Sequence, residues 1–543
     1  MRRPHRDIDM TSRIVLLSAL LSVGVLATAV RAAGPASAEG FGAAKPATIV
    51  DAAKAGNVEA VRTFLKQPKA ANVASKDGTT ALHWATDHDN LPMAQALVRA
   101  GANVKAANRY GVTPMYSAAV NGNAAMIELL LNAGADPNVA LAEGETPLMT
   151  AARTGKAEAV RLLLARGAAV NAAEKWKQQT ALMWAAHEGN AEVTKILIEA
   201  GANVNARSIF GWTPLLFAAR QGQIATIDAL VTGGARINET LPDGTSALVT
   251  AVQGNNFEAA AALLKHGIDP NAAGQGWTAL HQIAWSRRPQ RGQNNPGQRP
   301  NGNVSSLALA RALAEHGADV NARQTREPNS DMEGRNSLNR FGATPLFLAA
   351  KSVDVPLMEV LLELGADPFI GNVDGDSPLM AAAGVGVYSQ GESPGLPEES
   401  ADAVRILLDL GAPVNDVDKN GETALHGPAW RGSNEAVMHL VNAGAKLDVR
   451  NNRGWLPLTI ADGVYYNARV MMNKHTAQLL RELMTARGLD TSDTSANLAG
   501  ALRTELADET ELDADNPSEV QQRLIEQAKK RQEILEQIQR QSK

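Results

Sequence analysis

The chain contains no cysteine in 543 residues. Its absence excludes disulfides, thiolate nucleophiles, cysteine-ligated zinc or iron–sulfur, covalent c-type haem attachment and a lipidated N-terminal cysteine. Aromatic residues are scarce at 4%, low for a carbohydrate-binding or propeller domain. Neither sign of charge dominates: 52 Lys+Arg stand against 57 Asp+Glu, a formal net charge of -5. That balance argues against a protein whose main task is gripping phosphate backbones. Hydrophobic residues, by contrast, reach 45%, enough for a real core and too many for global disorder. A chain this long holds roughly three or four ordinary domains, or one long repeat array.

The single long apolar run, Ile14 to Val30, lies at the N-terminus behind Arg2, Arg3, Arg6 and Arg13. Small-x-small cleavage options follow it at Val30-Arg31-Ala32 and Ala36-Ser37-Ala38. This is the three-part layout of a secretory signal peptide. Residues 1–38 are therefore expected to be a leader, and the mature protein periplasmic or secreted. If the leader stays uncleaved it becomes a membrane tether, although 17 apolar residues fall short of the ~20 that span a bilayer. Its removal takes away five positive and two negative charges, moving the net charge from -5 to -8. Residues 39–44 read as a linker.

The middle of the chain repeats. A Gly-x-Thr-Pro/Ala-Leu motif places its threonine slot at Thr80, Thr113, Thr146, Thr180, Thr213, Ser246, Thr278, Thr344, Ser377, Thr423 and Leu456. The steps are 33, 33, 34, 33, 33, 32, 66, 33, 46 and 33 residues, and a period of 33 signals a solenoid. Thr48 opens a degenerate first copy, giving about twelve units over residues 45–487. Within a unit, Thr113 is placed to cap a helix that starts at Pro114, where the missing N–H is harmless. Met126, Leu129 and Leu130 form one stripe of a second helix, which Gly134 ends in a left-handed conformation.

Stretches such as Gly78-Thr79-Thr80-Ala81-Leu82-His83, Gly144-Glu145-Thr146-Pro147-Leu148 and Gly421-Glu422-Thr423-Ala424-Leu425-His426 resemble the ankyrin repeat family, over about four-fifths of the chain. The second halves match too, as in Ala159 to Leu164 followed by Gly167-Ala168-Ala169-Val170-Asn171-Ala172. The resemblance implies an all-α solenoid of stacked helix-turn-helix units with projecting hairpin loops, used mainly to bind other proteins.

Departures from the period mark insertions near 286–303, 324–340, 384–399 and 463–474. The first carries Arg287, Arg288, Arg291 and Arg299 and no acid. No aromatic platform accompanies them, so no nucleic-acid partner is expected. Beyond the array, 488–517 reads as an acidic linker and 518–542 as a C-terminal amphipathic helix opened by Asn516-Pro517-Ser518-Glu519.

Candidate binding residues are aromatic. Trp84 and Trp184 fall four residues after the slot and Trp285 and Trp430 seven after it, with Tyr116 and Phe217 in nearby register on the inner helices. These sites line or approach a concave face, where aromatic anchors suit protein binding. Tyr110 and Phe210 sit at hairpin tips on the same side. Trp212, Trp277 and Trp455 precede the slot, near the hairpin base. In the resembled family the slot-linked histidines, here His83, His281 and His426, bond the neighbouring hairpin. Pro428, inside an inner helix, is expected to cost a backbone bond and kink it. Gly391-Glu392-Ser393-Pro394-Gly395 fits Gly-x-Ser-x-Gly but lacks the strand and helix that would expose a nucleophile. No catalytic, cofactor or metal site emerges. The expected function is a non-catalytic protein-interaction scaffold in the cell envelope, or alternatively an accessory subunit of a secreted or periplasmic enzyme complex.

Overall fold

The computed structural model describes residues 46–288, 302–326, 338–387, 394–466 and 469–492. The leader, the acidic linker from 493 onward, the C-terminal helix and Ser393 lie outside the described residues. The described chain is built from helix pairs, beginning with Ile49–Lys54 and Val58–Phe64 and ending with Pro457–Asp462 and Lys474–Ala486. First helices pack on first helices and second on second, an all-α solenoid in which each unit touches chiefly its neighbours.

The sequence explains each junction. Alanines of the first helices, such as Ala118, Ala151, Ala185 and Ala218, are 0% exposed, because small side chains let neighbouring helices approach. From the second unit onward, one leucine per unit follows the repeat through the second helices. Leu97, Leu130, Leu163, Leu197, Leu230, Leu263, Leu313, Leu361, Leu407, Leu440 and Leu480 are all 0% exposed. Slot hydroxyls cap the first helices: Thr113 Oγ1 accepts the Tyr116 N–H at 3.3 Å and Ser246 Oγ the Val249 N–H at 3.2 Å. Thr48 and Asp51 form a reciprocal capping box at the degenerate first unit.

Asparagines after the second helices tie units together. Asn138 donates to the Gly167 carbonyl at 3.0 Å and accepts the Ala169 N–H at 2.7 Å. The clamp survives the insertions: Asn271 grips Gly317 and Asp319 at 2.9 and 2.7 Å, and Asn321 holds Gly365 and Asp367.

The insertions leave from other places. Two arginines of the first are consumed by ion pairs. Arg287 makes a two-pronged contact with the buried Asp354 at 2.6 and 2.9 Å, and Arg288 pairs with Glu399 at 2.8 Å. The ends of the second close on each other, the Gly342 N–H donating to Gln324 O at 2.7 Å. The end of the third is helical: residues 397–399 belong to Pro397–Asp409, 13 residues against the usual 9 of a second helix. The fourth contains a two-stranded antiparallel ribbon, Val464–Tyr466 with Arg469–Met471, where only loop was expected.

Pro428 is a correction. The helix His426–Arg431 starts two residues later than its counterparts, so Pro428 falls in its first turn, where no intrahelical N–H bond exists to lose. Gly427 lets this helix lie against the preceding unit; a Cβ there would stand 2.6 Å from the Ala383 carbonyl carbon.

The three slot-linked histidines are built alike. Nδ1 of His281 accepts the Thr278 backbone N–H at 3.2 Å, and its Nε2–H donates to the Ala343 carbonyl at 3.1 Å. His426 repeats this with Thr423 and Trp455, and His83 with Thr80 and Val112. A backbone amide can only donate and a carbonyl only accept, so the neutral Nε2–H tautomer is fixed. Burial pushes His281 and His426 down to about 4. Unfolded histidine binds its proton near 6.5, so the unfolded chain holds more protons between these values. Stability from these sites is complete above about pH 6.5 and lost as pH falls toward 4. His281→Ala should lower Tm at pH 7 yet flatten the decline of Tm between pH 6.5 and 4.5, measured by thermal melts followed by circular dichroism.

Candidate interaction surface

Hairpins and first helices present two aromatic features. The hairpins are registered to one another by single backbone bonds: Arg109 N–H to Asp77 O at 2.8 Å, Lys175 N–H to Glu143 O at 2.7 Å and Ile209 N–H to Lys177 O at 3.0 Å. Each tip is held by a side chain at its base. Asn108 Oδ1 accepts the Tyr110 and Val112 N–H groups. In the unit with one extra residue, Glu174 accepts three amides, from Trp176, Lys177 and Gln179, at 2.6 to 3.0 Å. The tips so fixed hold Tyr110, Trp176, Ile209 and Phe210 out in water, 61, 62, 56 and 53% exposed. Cations accompany them: the Arg109 guanidinium lies 4.6 Å from the Tyr110 ring centre and Lys177 Nζ 4.7 Å from that of Trp176.

Trp176 was not among the expected residues. Its signal was nonetheless in the sequence, because the 34-residue step shifts the tip register by one and hides its equivalence to Tyr110 and Phe210.

Along the first helices the structure joins several expected residues into one strip. Arg153 lies 4.9 Å from the Trp184 ring centre and pairs with Glu145 at 3.6 Å, and its charge also acts on the Tyr116 phenol. Burial, reinforced by the Glu145 charge, raises the Tyr116 phenol above its ordinary range. His187 then meets Phe217 edge-on at 6.0 Å, and Phe217 stacks at 5.2 Å on Trp212. A hydrogen bond from His187 holds the Glu188 carboxyl below the usual range. Trp84 stands apart in an earlier unit, beneath Lys54 Nζ at 5.4 Å. All four expected first-helix aromatics of this half, Trp84, Tyr116, Trp184 and Phe217, are half-buried.

The C-terminal pair behaves differently. Trp285 is half-buried, edge-on to Trp277 at 5.6 Å and covered by the Arg340 guanidinium at 4.1 Å. Trp430 is 4% exposed and its indole N–H donates to Glu422 at 3.3 Å. It packs within the core rather than on the open face of the first helices. Among the described residues no group of three or more His, Asp or Glu is arranged to hold a metal ion, and no helix is long and apolar enough to cross a membrane.

A family model for ankyrin repeats in sets of three matches residues 49–141, 133–208, 166–240 and 215–324, and a single-repeat model matches 341–373. The chain is 29% identical over 184 residues to the Neurogenic locus notch homolog protein 1 of Danio rerio, covering 32% of this chain and 8% of that protein. It is 29% identical over 139 residues to the Putative palmitoyltransferase ZDHHC13 of Danio rerio, covering 24% and 20%. The matched region thus spans a fifth or less of these curated relatives. Among solved structures, the human ASB11 ankyrin repeat domain is 28% identical, covers 41% of this chain and 98% of that domain, and superposes with a TM-score of 0.37.

Burial separates the two kinds of tryptophan energetically. Trp430→Ala should destabilise by about 3–5 kcal/mol, as truncated core aromatics do. Trp176→Ala should stay within about 0.5 kcal/mol, as exposed substitutions do. Urea unfolding of both variants checks the contrast.

Proposed function

Since the chain belongs to the ankyrin repeat family, we propose that it is a non-catalytic scaffold or adaptor. It recognises a partner protein through the hairpin tips and first-helix strip of its N-terminal half. The observation that carries this reading is the row of exposed side chains Tyr110, Trp176, Ile209 and Phe210 on hairpins held rigid by Asn108 and Glu174. Water gains little from leaving such rings uncovered, whereas a partner that covers them buries large, stiff side chains at small entropic cost. Both signs of charge interleave on these hairpins, Arg109, Lys175 and Lys177 with Asp77, Glu143 and Glu174, while Arg207 pairs with Glu239; this suits a partner segment that mixes apolar residues with a complementary pattern of charge.

The same proposal places the protein in the cell envelope, as a periplasmic or secreted component. Its support is the arginine-flanked apolar run Ile14 to Val30 with cleavage options directly after it.

The test is site-specific photo-crosslinking in native cells. A photoreactive residue at position 110, 176 or 210 should give one common crosslinked partner, and the same residue at the exposed outer-helix positions 158 and 192 should not. Equal crosslinking from both sets overturns the surface assignment. Fractionation with mass spectrometry of the mature N-terminus checks the compartment separately; an intact leader in the cytosol overturns that part.

A further inference from the structure

In three units the residue just before the helix-opening slot meets a companion eight positions later on the first helix. Glu145 meets Arg153 at 3.6 Å. Trp212 lies 5.4 Å from the Arg220 guanidinium, and Trp277 meets Trp285 edge-on at 5.6 Å. Two later units break the pattern for an acid. Asp376 has Gly384 as its companion, and Glu422 has Trp430. Where Glu145 finds an arginine of its own chain, Asp376 and Glu422 find none in that position.

These two acids line a cavity of about 110 Å³ together with Trp430, Trp455 and Asn451. On such a measure one water needs roughly 10–15 Å³, so the space takes a head group of several atoms. Trp430 and Trp455 meet edge-to-face at 6.2 Å. Asp376 is 2% exposed and Glu422 7%. Glu422 Oε1 accepts from Asn451 Nδ2 at 3.1 Å and from the Trp430 indole at 3.3 Å. Asp376 Oδ2 accepts from Asn372 at 2.6 Å, but its Oδ1, buried in the same wall, meets no donor. The Asp418 carboxyl lies within reach of Asp376; it offers a donor only if the pair shares a proton. Of the remaining charged groups at the rim, Lys419 pairs with Asp374 at 2.5 Å, and Arg453, 5.2 Å from the Trp455 ring centre, also draws Glu422 toward its charged form.

We propose that this cavity receives a guanidinium group, supplied by an arginine side chain of a partner protein, which pairs with Asp376 and Glu422 against the two tryptophan rings. A guanidinium fits better than an ammonium for three reasons. Its planar fork presents donors to carboxylates on two neighbouring hairpins, it is weakly hydrated, and it stacks on indole. The chain already uses both contacts in this register, at Glu145 with Arg153 and at Trp212 with Arg220. The inference deepens the protein-binding reading above but stands on different units and different chemistry.

Burial pushes Glu422 up to about 7 and Asp376 higher still, the charge of Asp418 adding to the latter. The cavity must therefore release protons to take a cation. As pH falls below about 7, binding weakens by as much as tenfold per pH unit for each proton that must be released. For stability the sign is the reverse. Carboxyls raised in the folded state stabilise fully below their unfolded values and lose that contribution as pH rises through 7 to 8. Neutral replacements should thus leave Tm at pH 8 unchanged or raised.

The test is calorimetric titration of the full chain with N-acetyl-L-arginine methylamide and, as an uncharged isostere, the citrulline counterpart. The arginine derivative should bind at pH 8, release protons, and weaken at least tenfold by pH 6; the citrulline derivative should not bind. Glu422→Gln and Asp376→Asn should keep the pH 8 melting temperature and weaken arginine binding at least tenfold. Trp176→Ala should leave it unchanged, which separates failure here from failure of the hairpin-tip surface. No uptake by the wild-type chain, equal uptake of both probes, or unaltered binding by the two neutral variants overturns the proposal.

Discussion

Everything in this molecule depends on the junction between one unit and the next. A helix pair alone leaves its leucine stripe wet and its helix ends uncapped, and short isolated helices are marginal in water. The junction settles both problems. The buried leucines from Leu97 to Leu480 supply the apolar term, and the asparagine clamps satisfy a carbonyl and an amide at the end of the neighbouring helix. Because the clamp reads backbone rather than side chain, it tolerates wide variation elsewhere in the unit. Gly167, which Asn138 grips, must still turn the chain with φ of 85°, a value few other residues accept.

The insertions follow from this constraint. Asn271 and Asn321 clamp partners 46 and 44 positions away, yet with distances that match the uninterrupted units. Extra chain has been added only where it leaves the seam intact: between the two helices of a unit, or within a hairpin. Its ends are then tied back. Arg287 ties the margin of the first insertion to Asp354, the cap of the helix Val355–Glu363, and Arg288 ties it to Glu399 in the helical margin of the third. What looks in sequence like an uncompensated basic loop is, at its anchored end, a set of partly buried ion pairs, where removing one member strands the other.

The repeat is legible in sequence because periodicity records the seam directly. Slot hydroxyls, terminal glycines and buried leucines recur at fixed spacing, and Ser246 and Ser377 cap as their positions require. Side-chain direction at variable positions is less legible. Trp285 and Trp430 share a register, yet only one is core. The late start of His426–Arg431, imposed by Gly427 and Pro428, lets Trp430 reach Glu422 within its own unit. Trp176 escaped the register argument through a single extra residue, accommodated by Gln178 at φ of 56°. The ribbon at Val464–Tyr466 and the helical margin at Pro397 belong to segments without a repeat equivalent, so no pattern foretold them.

The two halves of the array solve the same electrostatic problem differently, and that difference bears on function. In the N-terminal half an acid before the slot is neutralised from within, Glu145 by Arg153, and the arginine then also covers Trp184. This ion pair lies on the half of the array that exposes the aromatic tips. Farther along, Asp376 and Glu422 are more deeply buried than Glu145, and no arginine follows at the companion position. Charge is expensive in such buried surroundings, and desolvation raises both carboxyls above their ordinary range. A scaffold whose stability rests on the leucine and asparagine ladders can carry that local strain, because each unit couples mainly to its neighbours. The strain is then relieved by whatever brings a fitting positive charge to the cavity. A repeat array can in this way hold a steady contact surface at one end and a site that responds to protons at the other, without any change in its core.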